Sequence, residues 1–157
     1  MASEPETPLV SSVLCEAARW LRERGMPLWK EHDLQVEALI PDVRAGRYHL
    51  AMLRGSAAGT LKLQDSDLSI WPDAEPDAAL YLHRLAVRRH FAGRGVSVAL
   101  LTYAADVARA AGRRYLRLDC DAARVRLVEL YLSAGFRHHS DHMAGAYRVA
   151  RFEKALS

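Results

Sequence analysis

Cysteine is scarce in this chain of 157 residues: Cys15 and Cys120 are the only two, far apart and without Cys-x-x-Cys spacing. That excludes a disulfide framework and a thiolate zinc site, and Cys120 reads as a small buried apolar residue rather than a reactive thiol. Long hydrophobic runs are missing as well; none approaches the ~20 residues that a membrane helix requires. No internal repeat is present, and no linker is long enough to divide the chain. Lysine is nearly absent, so the formal net charge of +3 is carried almost wholly by arginine. Arginine suits phosphate contacts, but Arg19, Arg22, Arg24, Arg44, Arg54, Arg117, Arg137 and Arg151 are scattered and not massed on one segment. They read as a solvated surface, so no nucleic-acid partner and no membrane are expected.

Half of the residues are hydrophobic and about a quarter charged, as in a water-soluble globular protein. The length fits one domain, 1–157, with residues 1–8 as a polar, flexible leader. That leader is acidic and proline-bearing, unlike a signal peptide, and a cytoplasmic location is expected.

Ser11 or Ser12 can cap a helix reaching Arg24, with Val13, Leu14, Ala17, Ala18 and Leu21 on its apolar face and Gly25 as its stop. Asp33 can cap a second helix from Leu34 to about Val43, weakened by Pro41. Arg47–Leu53 and Ala57–Gln64 read as a hairpin about Gly55-Ser56. Residues 65–79 form a loop with two prolines, several acids and Trp71. Leu80–Val87 reads as a buried strand and is followed by Phe91-Ala92-Gly93-Arg94-Gly95-Val96-Ser97. A helix begins at about Gly95, with apolar residues at Val96, Leu100, Ala104, Val107 and Ala111. Leu116–Cys120 is a further strand, about 123–134 a helix, and 136–140 and 147–152 closing strands. His138-His139-Ser140-Asp141 with His142 reads as a solvated turn, and no metal site is expected.

The glycine loop has a physical logic of its own. The first amides of a helix lack internal partners and carry partial positive charge, so a glycine-rich entry can wrap them around a phosphate. A plain strand-to-helix turn would have the same local pattern.

Val87 to Ser97, followed by Ala99-Leu100-Leu101, resembles motif A of the GCN5-related N-acetyltransferase (GNAT) superfamily, whose loop pattern is Q/R-x-x-G-x-G/A. Gly95 takes the central glycine; Ala92 stands where Gln or Arg is usual, and Ser97 where Gly or Ala is usual. Leu116–Cys120, Leu127 and Leu130-Tyr131-Leu132-Ser133-Ala134-Gly135-Phe136 resemble motif B, which ends in Tyr-x-x-x-Gly-Phe. Arg124 stands where the family often has Asn, seven residues before that Tyr. The two blocks cover roughly Leu80 to Phe136, in the family's order.

The resemblance implies an α/β fold: a single-domain, GNAT-like mixed and mostly antiparallel sheet with helices on both faces and a splayed parallel strand pair at the cofactor cleft. It implies acetyl-coenzyme A as cofactor and transfer of an acetyl group to a primary amine of a small molecule or peptide, by direct attack in a ternary complex. Gly93, Arg94, Gly95, Val96 and Ser97 would hold the pyrophosphate, Leu85 and Val87 the pantetheine arm and polarised thioester, and Arg124 a further cofactor contact. Tyr131 stands at the family's general-acid position. The usual acid on the motif A strand is replaced by Tyr81 and His83, and His83 has the pKa range of a base. Trp29, Trp71 and Tyr81 are the expected acceptor contacts. Family members are often dimers, which extends to an expected homodimer. The other functional class that fits is a non-catalytic, coenzyme A-binding sensor or interaction module.

Overall fold

The computed structural model describes residues 1–157, which form two compact units: residues 1–62 with 84–100, and residues 63–83 with 101–157. Four helices, α1 (Thr7–Glu23), α2 (Val36–Arg44), α3 (Val96–Ala110) and α4 (Val125–Ser133), accompany six strands. The strands are β1 (Tyr48–Leu53), β2 (Ser56–Gln64), β3 (Ala79–Val87), β4 (Tyr115–Asp121), β5 (Arg137–Ala144) and β6 (Tyr147–Ala155). They hydrogen-bond in the order β1-β2-β3-β4-β6-β5. β1/β2, β4/β6 and β5/β6 are antiparallel and β3/β4 is parallel, the mixed, mostly antiparallel sheet expected. No helix is long and apolar enough to cross a membrane.

In the first unit Val10, Val13, Leu14 and Ala18 of α1 and Leu39 and Val43 of α2 are buried in one core with Tyr48, Ala57 and Ala86. The helical start differs from the expectation. α1 begins at Thr7, not beyond Ser11, because Pro8 falls in the first turn, where its fixed φ is favourable and its missing N–H costs nothing. The leader is built in rather than loose: the amide of Ala2 donates to the Tyr48 carbonyl at 2.8 Å, and Ser3 and Glu6 form a capping box. Ala2 is buried, and Glu4 pairs with Arg44. Asp33 lies within a 3-10 turn, Glu31–Leu34, and Gln35 precedes α2, which accommodates Pro41.

A register shift between Ala51 and Met52 leaves Ala58 as the extra residue of β2, reversing the side-chain alternation there. Ala57 therefore joins the α1/α2 core, whereas a Cβ on Gly59 would meet Val96 and Leu100 of α3 at 3.1 and 3.0 Å. Helices thus pack on both sides of this strand.

In the second unit β4 is paired along its whole length with β6, and Leu116, Leu118 and Phe152 are almost wholly buried. β3 pairs with β4 over only three positions, Ala79–Tyr81 against Tyr115–Arg117. The loop before β3 folds onto these strands, with Trp71, Ala79 and Tyr81 at the centre of a small core. Residues 138–142, read as a turn, belong to β5, which is longer than the sequence suggests because β6 supplies partners as far as Ala144.

Candidate active site

In the first unit β3 leads through a short 3-10 turn, Arg89–Phe91, into the glycine loop and α3. Gly93 and Gly95 both have positive φ, +77° and +79°, a region that side chains disfavour, and a Cβ on either would meet nothing within 4 Å. The glycines are therefore required by backbone angle, and the space in front of the loop is open. Ala92 to Gly95 are exposed, Ser97 is half-buried, and Val96 is buried. Phe91 is buried beneath the loop, with the Arg94 guanidinium 5.7 Å from its ring centre.

The approach to the loop is fixed from α1. Arg88 donates to the Ala57 carbonyl at 2.9 Å and to Ser12 Oγ at 2.9 Å, and approaches Glu16 at 3.4 Å. The second oxygen of Glu16 accepts from the Arg89 amide at 3.1 Å. Arg89 itself stacks on Trp20, its guanidinium 4.1 Å from the ring centre. Ser12 was singled out only as a helix cap, and Glu16 and Trp20 not at all, since nothing local in the sequence ties Glu16 to a loop so far along the chain. Within β3, Arg84 has φ +52°, unusual for a non-glycine residue, and its side chain donates to the Tyr48 hydroxyl at 2.8 Å. Leu85 and Val87 follow on this irregular stretch and are half-buried.

In the second unit Tyr131 of α4 is 5 % exposed, its ring against Phe136 and Phe152. Burial above all, then the neighbouring Cys120, raises its phenol pKa, with Arg124 opposing. Arg124 is half-buried and caps α4, its carbonyl accepting from the Leu127 and Val128 amides. Burial followed by the charge of Asp119 pushes the Cys120 thiol up to about 11.

His83 lies on the same unit's end of β3. Its Nε2 is 3.4 Å from Asp67 Oδ2, and the donor atoms of Asp67, His83 and Asp119 all lie within 4.8 Å of one another. One shared cation, whether a proton, an ammonium group or a metal ion, could neutralise them. Burial, then the charge of Asp67, pushes the Asp119 carboxyl up to about 6, with His142 opposing. Neither aspartate carried a signal in the sequence; alternation along the two strands would have placed Asp119 level with His83.

The aromatic residues expected to meet an acceptor are not alike. Trp71 is 2 % exposed, and the guanidinium groups of Arg117 and Arg151 each lie 4.8 Å from its ring centre. Tyr81 is buried beside it, its hydroxyl accepting from Arg117 at 3.3 Å. These two rings form a packed layer and leave no open aromatic face, because the chain's own arginines already cover it. Trp29 is half-buried against the core of the other unit.

Comparison with known proteins agrees with this geometry. Residues 14–136 match the family model described as the acetyltransferase (GNAT) family. The chain is similar to YesJ of Bacillus subtilis, an uncharacterized N-acetyltransferase, with 28 % identity over 94 % of this chain and 84 % of that one. Its fold is similar to a GNAT-family acetyltransferase of Listeria monocytogenes, with TM-score 0.82 and 24 % identity over 99 % of this chain and 92 % of that one. It is also similar to YncA of Salmonella typhimurium, whose structure was solved with its cofactor acetyl-CoA, with TM-score 0.76 and 15 % identity over 99 % and 91 % of the two chains.

Proposed function

The chain belongs to the acetyltransferase (GNAT) family, and from that premise we propose that it transfers an acetyl group from acetyl-coenzyme A to a primary amine of a small molecule or peptide. The observation that carries the reading is the loop: two exposed glycines at positive φ, with open space before them, leading into the 15-residue helix α3. Such a loop fits a pyrophosphate, since backbone amides and a helix start can face the anion without side chains in the way. The acetyl-CoA named with YncA supports the same cofactor here.

In this reading the amides of Gly93 to Ser97 bind the pyrophosphate, Arg94 adds positive charge, and Arg124 is a further contact. The backbone of Leu85 and Val87 orients the pantetheine arm and polarises the carbonyl. The bound cofactor supplies an acetyl thioester, activated for attack by an amine. His83 accepts the proton that the amine loses as the N–C bond forms. Tyr131, whose raised pKa keeps its phenol protonated at neutral pH, donates to the departing thiolate sulfur. Holding both partners together supplies much of the acceleration by proximity. Of the three aromatics, Trp29 is the one left half-exposed, so the acceptor contact is assigned to it.

Calorimetric titration with acetyl-coenzyme A tests the reading on the wild type and on Gly95→Glu, which puts negative charge into the loop. Micromolar binding, lost in a variant that melts as a folded protein, is the expected result. A folded wild type that does not bind would reduce the loop to a turn and end the acetyl-transfer reading.

A further inference from the structure

The chain from Asp67 to Trp71 closes on itself as a single turn, with the Asp67 carbonyl accepting from the Ile70 and Trp71 amides at 3.3 and 2.7 Å. Trp71 anchors the turn in the small core against Tyr81. At its other end the Asp67 side chain is 8 % exposed. Its Oδ1 accepts from Ser69 Oγ at 3.0 Å, while Oδ2 is buried, accepts no hydrogen bond, and faces His83 Nε2 at 3.4 Å. The turn places the carboxylate, and the Ser69 hydroxyl on Oδ1 leaves Oδ2 as the oxygen nearer the imidazole.

The strand register places the third member. Tyr81 opposite Arg117 is the last rung of the parallel pair, and alternation two residues further along each strand puts His83 and Asp119 on the same face beyond it. Their donor atoms complete a cluster with Asp67 less than 4.8 Å across. Two carboxylates therefore lie close to the ring, Asp67 from the turn and Asp119 from β4. His142 of β5 lies beyond them, its Nε2 3.2 Å from the Ser69 carbonyl oxygen, and its charge acts on Asp119.

We propose that Asp67 is a positioning residue that fixes the tautomer and orientation of His83 as the proton acceptor, and that Asp119 stabilises the imidazolium formed when the proton arrives. The proposal rests on the acetyl-transfer reading for its chemical purpose, but the pairing is measurable without turnover. A carboxylate facing one ring nitrogen holds a proton there and leaves the lone pair on the other. As the amine nitrogen bonds to the acetyl carbon, its proton passes to that lone pair, and the C–S bond electrons leave with the thiolate. The imidazolium then sits against two carboxylates and later returns its proton to water.

Nitrogen-15 histidine spectra of the whole protein, across pH and with chelator present, test this directly. The expected wild-type result is a His83 ring protonated at Nε2 when neutral, with Asp67→Asn losing that preference and titrating about one pH unit lower. Asp119→Asn should lower the titration while keeping the tautomer. In the acetyl-transfer assay Asp67→Asn should move the acidic limb of the kcat profile to lower pH by the same interval, with KM for acetyl-coenzyme A unchanged. A wild-type ring without tautomer preference, or one that Asp67→Asn leaves unchanged, overturns the proposal. So does a ring that titrates only after chelation, which would make the cluster a metal site. A wild type that shows the paired tautomer but transfers no acetyl group to any amine would overturn the functional reading and leave the pairing standing.

Discussion

A Cβ placed on Gly59 would stand 2.8 Å from the carbonyl oxygen of Ala86. The same methyl would press on Leu100 and Val96 at 3.0 and 3.1 Å, so β2, the end of β3 and the first turns of α3 close around this one position. Backbone oxygen cannot swing aside as a flexible side chain can. Gly59→Ala should therefore destabilise the fold by about 1–3 kcal/mol. The corresponding change at Gly55 in the β1/β2 turn meets no atom within 4 Å but carries φ +80°, so its cost should come from backbone strain alone. Urea melts of the two variants compare the effects. Equal stability of Gly59→Ala and wild type would show that the end of β3 and the start of α3 are both free to shift away from β2.

Gly59 also shows where the sequence stopped being readable. Its role depends on a bulge at Ala58 and on a helix that starts far along the chain, and neither leaves a local mark. Gly93 and Gly95 were legible because their requirement is local: a strand must turn sharply into a helix, and the backbone angles demand glycine. Both strand partners of the hairpin, and the starts of β3 and α3, followed from apolar alternation and periodicity in the same way. The start of α1 did not, because Ser11 and Ser12 offered a cap and residues 1–8 were read as a leader, whereas Pro8 sits in the one turn that tolerates it. His83 was found as a candidate on its strand. Asp67, which faces it, was hidden in an acidic loop whose fold depends on Trp71 finding a core.

Tyr131 separates an enzyme from a binding module. Its ring is packed against Phe136 and Phe152, so removing the hydroxyl alone changes little of the packing. Tyr131→Phe should bind acetyl-coenzyme A as the wild type does, while kcat falls roughly 10²-fold, the usual scale for losing a general acid. Calorimetry and an amine acetylation assay on the same preparation decide this. An unchanged kcat would remove Tyr131 from the proton-transfer step.

The two thiols should differ in reactivity. Cys120 is buried and its thiol is pushed up to about 11, so almost none is thiolate at neutral pH. Cys15 is half-buried. Ellman's reagent should therefore titrate about one thiol in the native protein and both after denaturation, and Cys15→Ser should abolish the native signal. Rapid labelling of the native Cys15→Ser protein would mean that Cys120 is exposed in solution.

Asp119 gives the fold a pH dependence of definite sign. Its carboxyl titrates near 6 in the folded chain, against an ordinary value of 3.8. Between those values the native state keeps a proton that the unfolded chain has released, so stability falls as pH rises through the window and stays reduced above it. His49 acts oppositely. Burial, then the N-terminal charge, holds it at about 4, so the stability it contributes is lost as pH falls from about 6.5 toward 4. That contribution is common to wild type and variant and cancels in their difference. Asparagine cannot ionise, so Asp119→Asn should melt close to the wild type at pH 4 and above it at pH 7.5. The gain should be on the order of 2 kcal/mol, or roughly 4–8 °C for a chain of this size. A difference in melting temperature that is equal at the two pH values would come from the amide's packing and would place the ordinary carboxyl pKa at Asp119.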